Sequence, residues 1–121
     1  MRTVTVGTGA VSFADVVAVA REGAGVRLGD DALAALDQGR TRVEEIIAGP
    51  DAVYGVSTER VPTAQRARLQ KSLVRPHTAG TGPEVEREIV RATMLPRLST
   101  LATGSAGIRP ATAEAVAGAL S

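Results

Sequence analysis

The sequence predicts an α+β fold that is mostly helical: small N-terminal strands packed by amphipathic helices, leading into the start of a truncated helical bundle. Three observations predict it. Thr3-Val4-Thr5-Val6 is β-branched throughout and alternates, as a half-buried strand does. Leu33, Leu36, Val43, Ile46 and Ile47 recur at helical spacing. Later apolar positions, Val85, Ile89, Ala92, Leu98 and Leu101, repeat that spacing and outweigh the short strands.

Taken in order, Gly7 and Gly9 end the opening strand, and Ser12 with Asp15 forms a Ser-x-x-Asp helix start. The hydroxyl there caps free N–H groups and the acid favours the positive helix end. Phe13, Val16, Val17 and Ala20 are expected as the inner face of that helix, which Gly23 to Gly25 close. Val26-Arg27-Leu28 is a short strand candidate. Asp30 or Asp31 is expected to cap the next helix, and Gly49-Pro50 to stop it. Gly39 within it costs about 1 kcal/mol relative to Ala, so that helix needs tertiary support.

A further helix is expected from Thr63 to Val74, with Leu69 and Leu73 inward and Arg66, Arg68 and Lys71 outward. Arg75 precedes Pro76, which favours extended geometry and leaves His77 at a helix-end turn. Pro83 suits the first turn of a long helix, and Pro96 inside it is expected to kink it at a cost of ~3 kcal/mol. Gly104 and Gly107 make a break, and Pro110 opens a last helix anchored by Val116 and Leu120. That helix shows no Gly or Asn C-cap, as though cut before its finish.

Composition excludes several function classes. The 121 residues are expected to form a single lobe over 1–121, and with 44% hydrophobic but 2% aromatic residues its core is aliphatic. A net charge of +1 gives no reason to expect nucleic acid or an acidic membrane. The chain has no cysteine, which fits the cytoplasm, and no run of signal-peptide or transmembrane character. With one histidine and no cysteine there is no expected metal site. Gly80-Thr81-Gly82 is not a phosphate cradle, because no Gly-Lys-Ser/Thr follows. The basic residues of the 63–74 helix lack interleaved aromatics and read as a solvated face, as do Glu44 and Glu45.

The remaining chemistry centres on Ala52-Val53-Tyr54-Gly55-Val56-Ser57-Thr58, an apolar run carrying the only tyrosine. It reads as a buried extended segment that delivers Tyr54 to a turn at Gly55. A phenol there can move a proton, or it can be a core-edge aromatic with a satisfied hydroxyl. His77, the only histidine, reads either as a hydrogen-bonded structural residue or as a site residue.

Four blocks of sequence bear on those readings. Val53-Tyr54-Gly55-Val56-Ser57-Thr58 resembles the Tyr-Gly-(Val/Ile)-Asn-Thr-Gly-Phe-Gly motif of the aromatic amino acid ammonia-lyases, the histidine and phenylalanine/tyrosine lyases. Leu69-Gln70-Lys71-Ser72-Leu73-Val74-Arg75-Pro76-His77-Thr78-Ala79-Gly80-Thr81-Gly82 is similar to their Leu-Gln-x-x-Leu-Val-x-Ser-His-x-x-Gly-x-Gly. Arg91-Ala92-Thr93-Met94-Leu95-Pro96-Arg97-Leu98-Ser99-Thr100-Leu101-Ala102 resembles the family's Arg-Ala-x-Met-Leu-x-Arg-x-Asn-Ser-Leu-Ala, and Gly107-Ile108-Arg109-Pro110 completes the order.

The resemblance implies the N-terminal portion of a carbon–nitrogen lyase acting on an aromatic amino acid, histidine-type, by elimination or by amino-group migration. It gives Tyr54 the role of proton-abstracting base and places His77 and Ser57 at the substrate. The sequence also departs from the family pattern. Ser57 stands where the family has Asn, Gly-Phe-Gly is missing, Pro76 replaces Ser, and no Ala-Ser-Gly occurs. That last run cyclises in the family into the electrophilic methylidene-imidazolone, so the cofactor is expected only from a partner chain. The implied partner is a complementary or full-length ammonia-lyase chain, or further copies in a homo-oligomer. The alternatives are a non-catalytic accessory subunit or a decayed lyase fragment.

Overall fold

The computed structural model describes residues 2–50 and 80–121. The chain divides into two compact units, one of Met1–Thr41 with Val85–Ser121, the other of Arg42–Glu84. Of the second unit only 42–50 and 80–84 fall among the described residues. The expected extended segment at Tyr54 and the 63–74 helix lie outside them.

The first unit opens with a strand–helix–strand element. β1 (Thr3–Val6) and β2 (Gly25–Leu28) pair in parallel, Thr3 opposite Gly25 through Val6 opposite Leu28. A parallel pair needs a crossover, and α1 (Phe13–Arg21) supplies it. Val4, Val6, Val26 and Leu28 are buried on one side of this ribbon. Thr5 and Arg27 stand on the other side, where the Arg27 Nε donates to the Thr5 hydroxyl at 3.0 Å. The alternation read from Thr3-Val4-Thr5-Val6 is therefore the alternation of a one-sided sheet.

Helix α1 starts as its sequence predicts. Ser12 Oγ accepts from the Asp15 N–H at 3.1 Å, and the Asp15 carboxylate accepts from the Ser12 N–H at 3.2 Å. Two of the first turn's free donors are thereby satisfied in one reciprocal box. Its inner face differs from expectation. Ala18 and Val19 are fully buried, whereas Phe13 is 93% exposed and Val17 also faces outward. Ala18 and Val19 join the core cluster, with Val16 partly buried against it.

Helix α2 (Asp30–Ala48) is not capped by either aspartate. The Gly29 carbonyl accepts from the Leu33 N–H at 3.0 Å, so Asp30 and Asp31 already lie inside the first turn. The helix stops as expected, with the Gly49 N–H reaching the Glu45 and Ile46 carbonyls at 3.1 Å. Gly39 has a steric reason: a Cβ there would run into the carbonyl of Gly104. Gly104 has φ +82°, and a Cβ there would run into the Ala35 carbonyl, so neither position accepts a side chain.

Helix α3 (Arg87–Leu101) begins after an Glu86 N-cap, four residues beyond the start that Pro83 suggested. Val85 and Ile89, expected inside, are exposed, and the inner face is Leu95, Leu98, Ser99 and the following Ala102. Pro96 lies within the helix on its exposed side, where the ring meets solvent rather than a packed neighbour. Its missing N–H removes the ladder donor for the Ala92 carbonyl. Helix α4 (Pro110–Leu120) opens with proline at its first turn and buries Ala113, Ala117 and Leu120, with Val116 partly covered. Ser121 finishes it. Its hydroxyl accepts from the Val26 N–H at 3.1 Å and lies 2.9 Å from the Val26 carbonyl and 3.0 Å from that of Ala117.

The core is the joint product of all these faces. Leu36, Leu95, Leu98, Leu120, Val6 and Val19 are its largest fully buried side chains. Each contributes about 1.5–3 kcal/mol by leaving water, so among the described residues aliphatic side chains hold the core. Small N-terminal strands packed by amphipathic helices are what the sequence predicted.

Candidate functional site

The three residues given roles at the sequence level, Tyr54, Ser57 and His77, lie outside the described residues. Among the described residues, three constructions stand out.

The first centres on Arg91, on the inner side of α3. Its Nε donates to the Val19 carbonyl at 2.7 Å, and one terminal nitrogen donates to the Ala24 carbonyl at 3.2 Å and the Leu120 carbonyl at 2.6 Å. Val19 is in the last turn of α1 and Leu120 ends α4, so the guanidinium faces carbonyls at two helix C-termini. Those ends carry partial negative charge, and a planar fork with several donors suits acceptors on different elements. No carboxylate is used. Sequence reasoning placed Arg91 only as the first residue of a family-like block; nothing local in the sequence marks the carbonyls it serves, which are 67 to 72 positions away on one side.

The second joins the β1–α1 loop to α2. The Asp31 carboxylate accepts from both the N–H of Thr8, at 3.0 Å, and its hydroxyl, at 3.2 Å. Hydrogen bonds from the Thr8 and Ala32 N–H groups stabilise the charged form and hold the Asp31 carboxyl below its ordinary value, despite a small opposing desolvation. On the same loop, the Gly9 carbonyl accepts from the buried Ser99 hydroxyl at 3.4 Å. A loop rich in glycine is thus tied at two points.

The third is a groove between α1 and α3. Val16, Val17, Ala20, Ile89 and Ala92 line a cavity of about 310 Å³, with Arg21 and Glu88 at its rim. The Arg21 Nε donates to Glu88 at 3.1 Å, both side chains being exposed enough that water screens the pair. Among the described residues no three His, Cys, Asp or Glu side chains gather as a metal site, and no helix is long and apolar enough to cross a membrane. None of the three constructions carries a nucleophile or base poised for reaction; they position elements.

Comparisons with known proteins agree with the sequence blocks. Residues 11–121 match the family model described as aromatic amino acid lyase. Histidine ammonia-lyase of Streptomyces coelicolor is 47% identical over 127 residues, covering 99% of this chain and 25% of that protein. The probable histidine ammonia-lyase of Halobacterium salinarum is 40% identical over 114 residues, covering 88% of this chain and 22% of that protein. Among solved structures, tyrosine aminomutase from Streptomyces globisporus superposes with a TM-score of 0.81 at 30% identity, over 98% of this chain and 24% of that one. Ergothionase from Treponema denticola superposes with a TM-score of 0.86 at 25% identity, over 98% of this chain and 25% of that one. The chain spans about a quarter of the length of these relatives, and it belongs to the aromatic amino acid lyase family.

Proposed function

We propose that this chain is the N-terminal portion of a histidine-type ammonia-lyase or aminomutase, supplying the tyrosine base to a site that another chain completes. The observation that carries the reading is the 47% identity to a histidine ammonia-lyase across 99% of the chain, against 25% of that relative. Tyr54 is the base, and His77 and Ser57 contact the substrate, an aromatic amino acid. In the elimination, the Tyr54 phenolate oxygen takes a β-proton as its C–H bond breaks. That electron pair forms the new C=C bond, and the amine leaves with its bonding pair as ammonia.

The electrophile that captures the amino acid in this family forms from Ala-Ser-Gly, and this sequence holds no such run. On this reading the group comes from the partner chain. A cysteine-free chain fits the cytoplasm.

A second reading has its own support. Ser57 cannot reproduce the bidentate hydrogen bonding of an amide, and the missing Gly-Phe-Gly shortens the cover over the site. Both favour a non-catalytic accessory subunit or a decayed fragment. Co-expression with a chain containing Ala-Ser-Gly, followed by assay of histidine for the conjugated unsaturated acid by its ultraviolet absorbance, separates the readings. Activity that falls about 100-fold or more in Tyr54→Phe supports the shared site. A stable complex whose activity ignores that substitution belongs to the accessory reading, and no complex at all leaves the fragment.

A further inference from the structure

We infer that the outer edge of β1 is a docking edge for an extended segment of a partner polypeptide that carries a carboxylate side chain beside Thr5. The sheet has two strands and therefore two edges, and the structure treats them differently. Within the parallel pair, the Gly25 N–H donates to the Arg2 carbonyl at 3.0 Å and the Gly29 N–H to the Val6 carbonyl at 2.9 Å. Main-chain groups alternate in direction along a strand, so Thr3 and Thr5 turn theirs away from β2, and Val26 and Leu28 turn theirs away from β1. The β2 edge is closed: the Ser121 hydroxyl meets both the N–H and the carbonyl of Val26, and Leu28 is buried. The β1 edge is open. Thr3 and Thr5 are exposed, and among the described residues nothing hydrogen-bonds to their main-chain groups.

The chemistry of the occupant follows from what stands at that edge. Two N–H donors and two carbonyl acceptors along an extended backbone are what an added strand pairs with. A helix cannot use them, because its own main chain is already bonded within itself. Charge then selects among strands. Arg27 is drawn from β2 towards β1 by the bond from its Nε to the Thr5 hydroxyl at 3.0 Å. Its terminal guanidinium nitrogens have no partner among the described residues. The other cation beside the strand, Arg2, is already paired with Asp15. An added strand lies about 4.8 Å outside β1, within reach of the long Arg27 side chain. A carboxylate on that strand, on the face that holds Thr5 and Arg27, completes a charge-assisted pair.

This docking edge is independent of Tyr54 and of the proposed lyase chemistry. The probe is the end-blocked peptide Thr-Val-Glu-Val-Thr, added to the full chain labelled with nitrogen-15 and followed through its amide chemical shifts. The expected result is a saturable shift centred on Thr3 and Thr5, with slower hydrogen exchange at those two amides. A peptide with Lys in place of Glu is expected to bind about fivefold more weakly. Arg27→Glu, a change at an exposed side chain, is expected to reverse that preference with unchanged circular dichroism, and Arg27→Gln to remove it. No shift at Thr3 and Thr5 at the highest soluble peptide concentration overturns the inference. So do equal binding of the two peptides and a preference for Glu that survives Arg27→Glu. Slow exchange at both amides in the chain alone also overturns it, because a second copy would then already hold the edge.

Discussion

At the scale of single residues, Arg91 bears the largest consequence. Its three carbonyl acceptors come from α1, from the turn before β2 and from the end of α4. Truncation strands all three, and each unpaired, part-buried acceptor costs about 1–3 kcal/mol. Arg91→Ala is therefore expected to lower stability by about 3 kcal/mol or more in urea titration, with Arg91→Lys between, since an ammonium cannot reproduce the planar fork. Asp31 makes a pH-dependent contribution of known sign. Its folded pKa lies below the ordinary 3.8, so the stabilisation is complete above that value and is lost as pH falls through the lowered one. Acid titration of the midpoint is expected to flatten in Asp31→Asn, while a Thr8→Ala change, which keeps the N–H donor, flattens it only in part.

At the scale of elements, two glycines in helices should respond oppositely to the same change. Gly39 abuts the Gly104 carbonyl, whereas a Cβ on Gly118 meets nothing within 4 Å. Gly118→Ala is expected to stabilise by about 0.5–1 kcal/mol, the helix propensity difference. Gly39→Ala carries the same propensity gain yet is expected to destabilise, because backbone rather than a flexible side chain must give way. Paired denaturant melts decide it. The pair also shows what a sequence can carry. Ser12 and Asp15 announced the start of α1 because a cap is made within four residues. The alternation of Thr3 to Val6 announced β1 because burial on one side has period two. Phe13, Val17, Val85 and Ile89 misled because periodicity says that a helix has an apolar face, but not whether that face meets its own core or another surface. Asp30 and Asp31 misled for a related reason: Asp31 is engaged by Thr8, 23 residues away, and local capping rules do not see it.

At the scale of the whole molecule, the architecture was legible because it rests on local patterns, and the assembly of those parts was not, because it rests on distant ones. Tyr54, Ser57 and His77 owe their assigned roles to the family-like blocks alone, and those roles are proposals that activity must test. Leu120 shows how much rests on distance. It is fully buried, it anchors α4 against β2, and its carbonyl receives Arg91. Leu120→Ala is expected to cost about 2–5 kcal/mol, a large part of what a small fold possesses, read from the thermal midpoint or its urea equivalent.

The bridge from Ser121 back to Val26 spans 95 positions. During synthesis, Val4, Val6 and Val26 emerge long before the helix that covers them exists. The nascent polypeptide must carry an uncovered aliphatic ribbon until Leu120 has left the ribosome, a period in which collapse onto a neighbour competes with completion. Yield in cells should then follow the supply of nascent-chain chaperones more closely than it follows the stability of the finished protein.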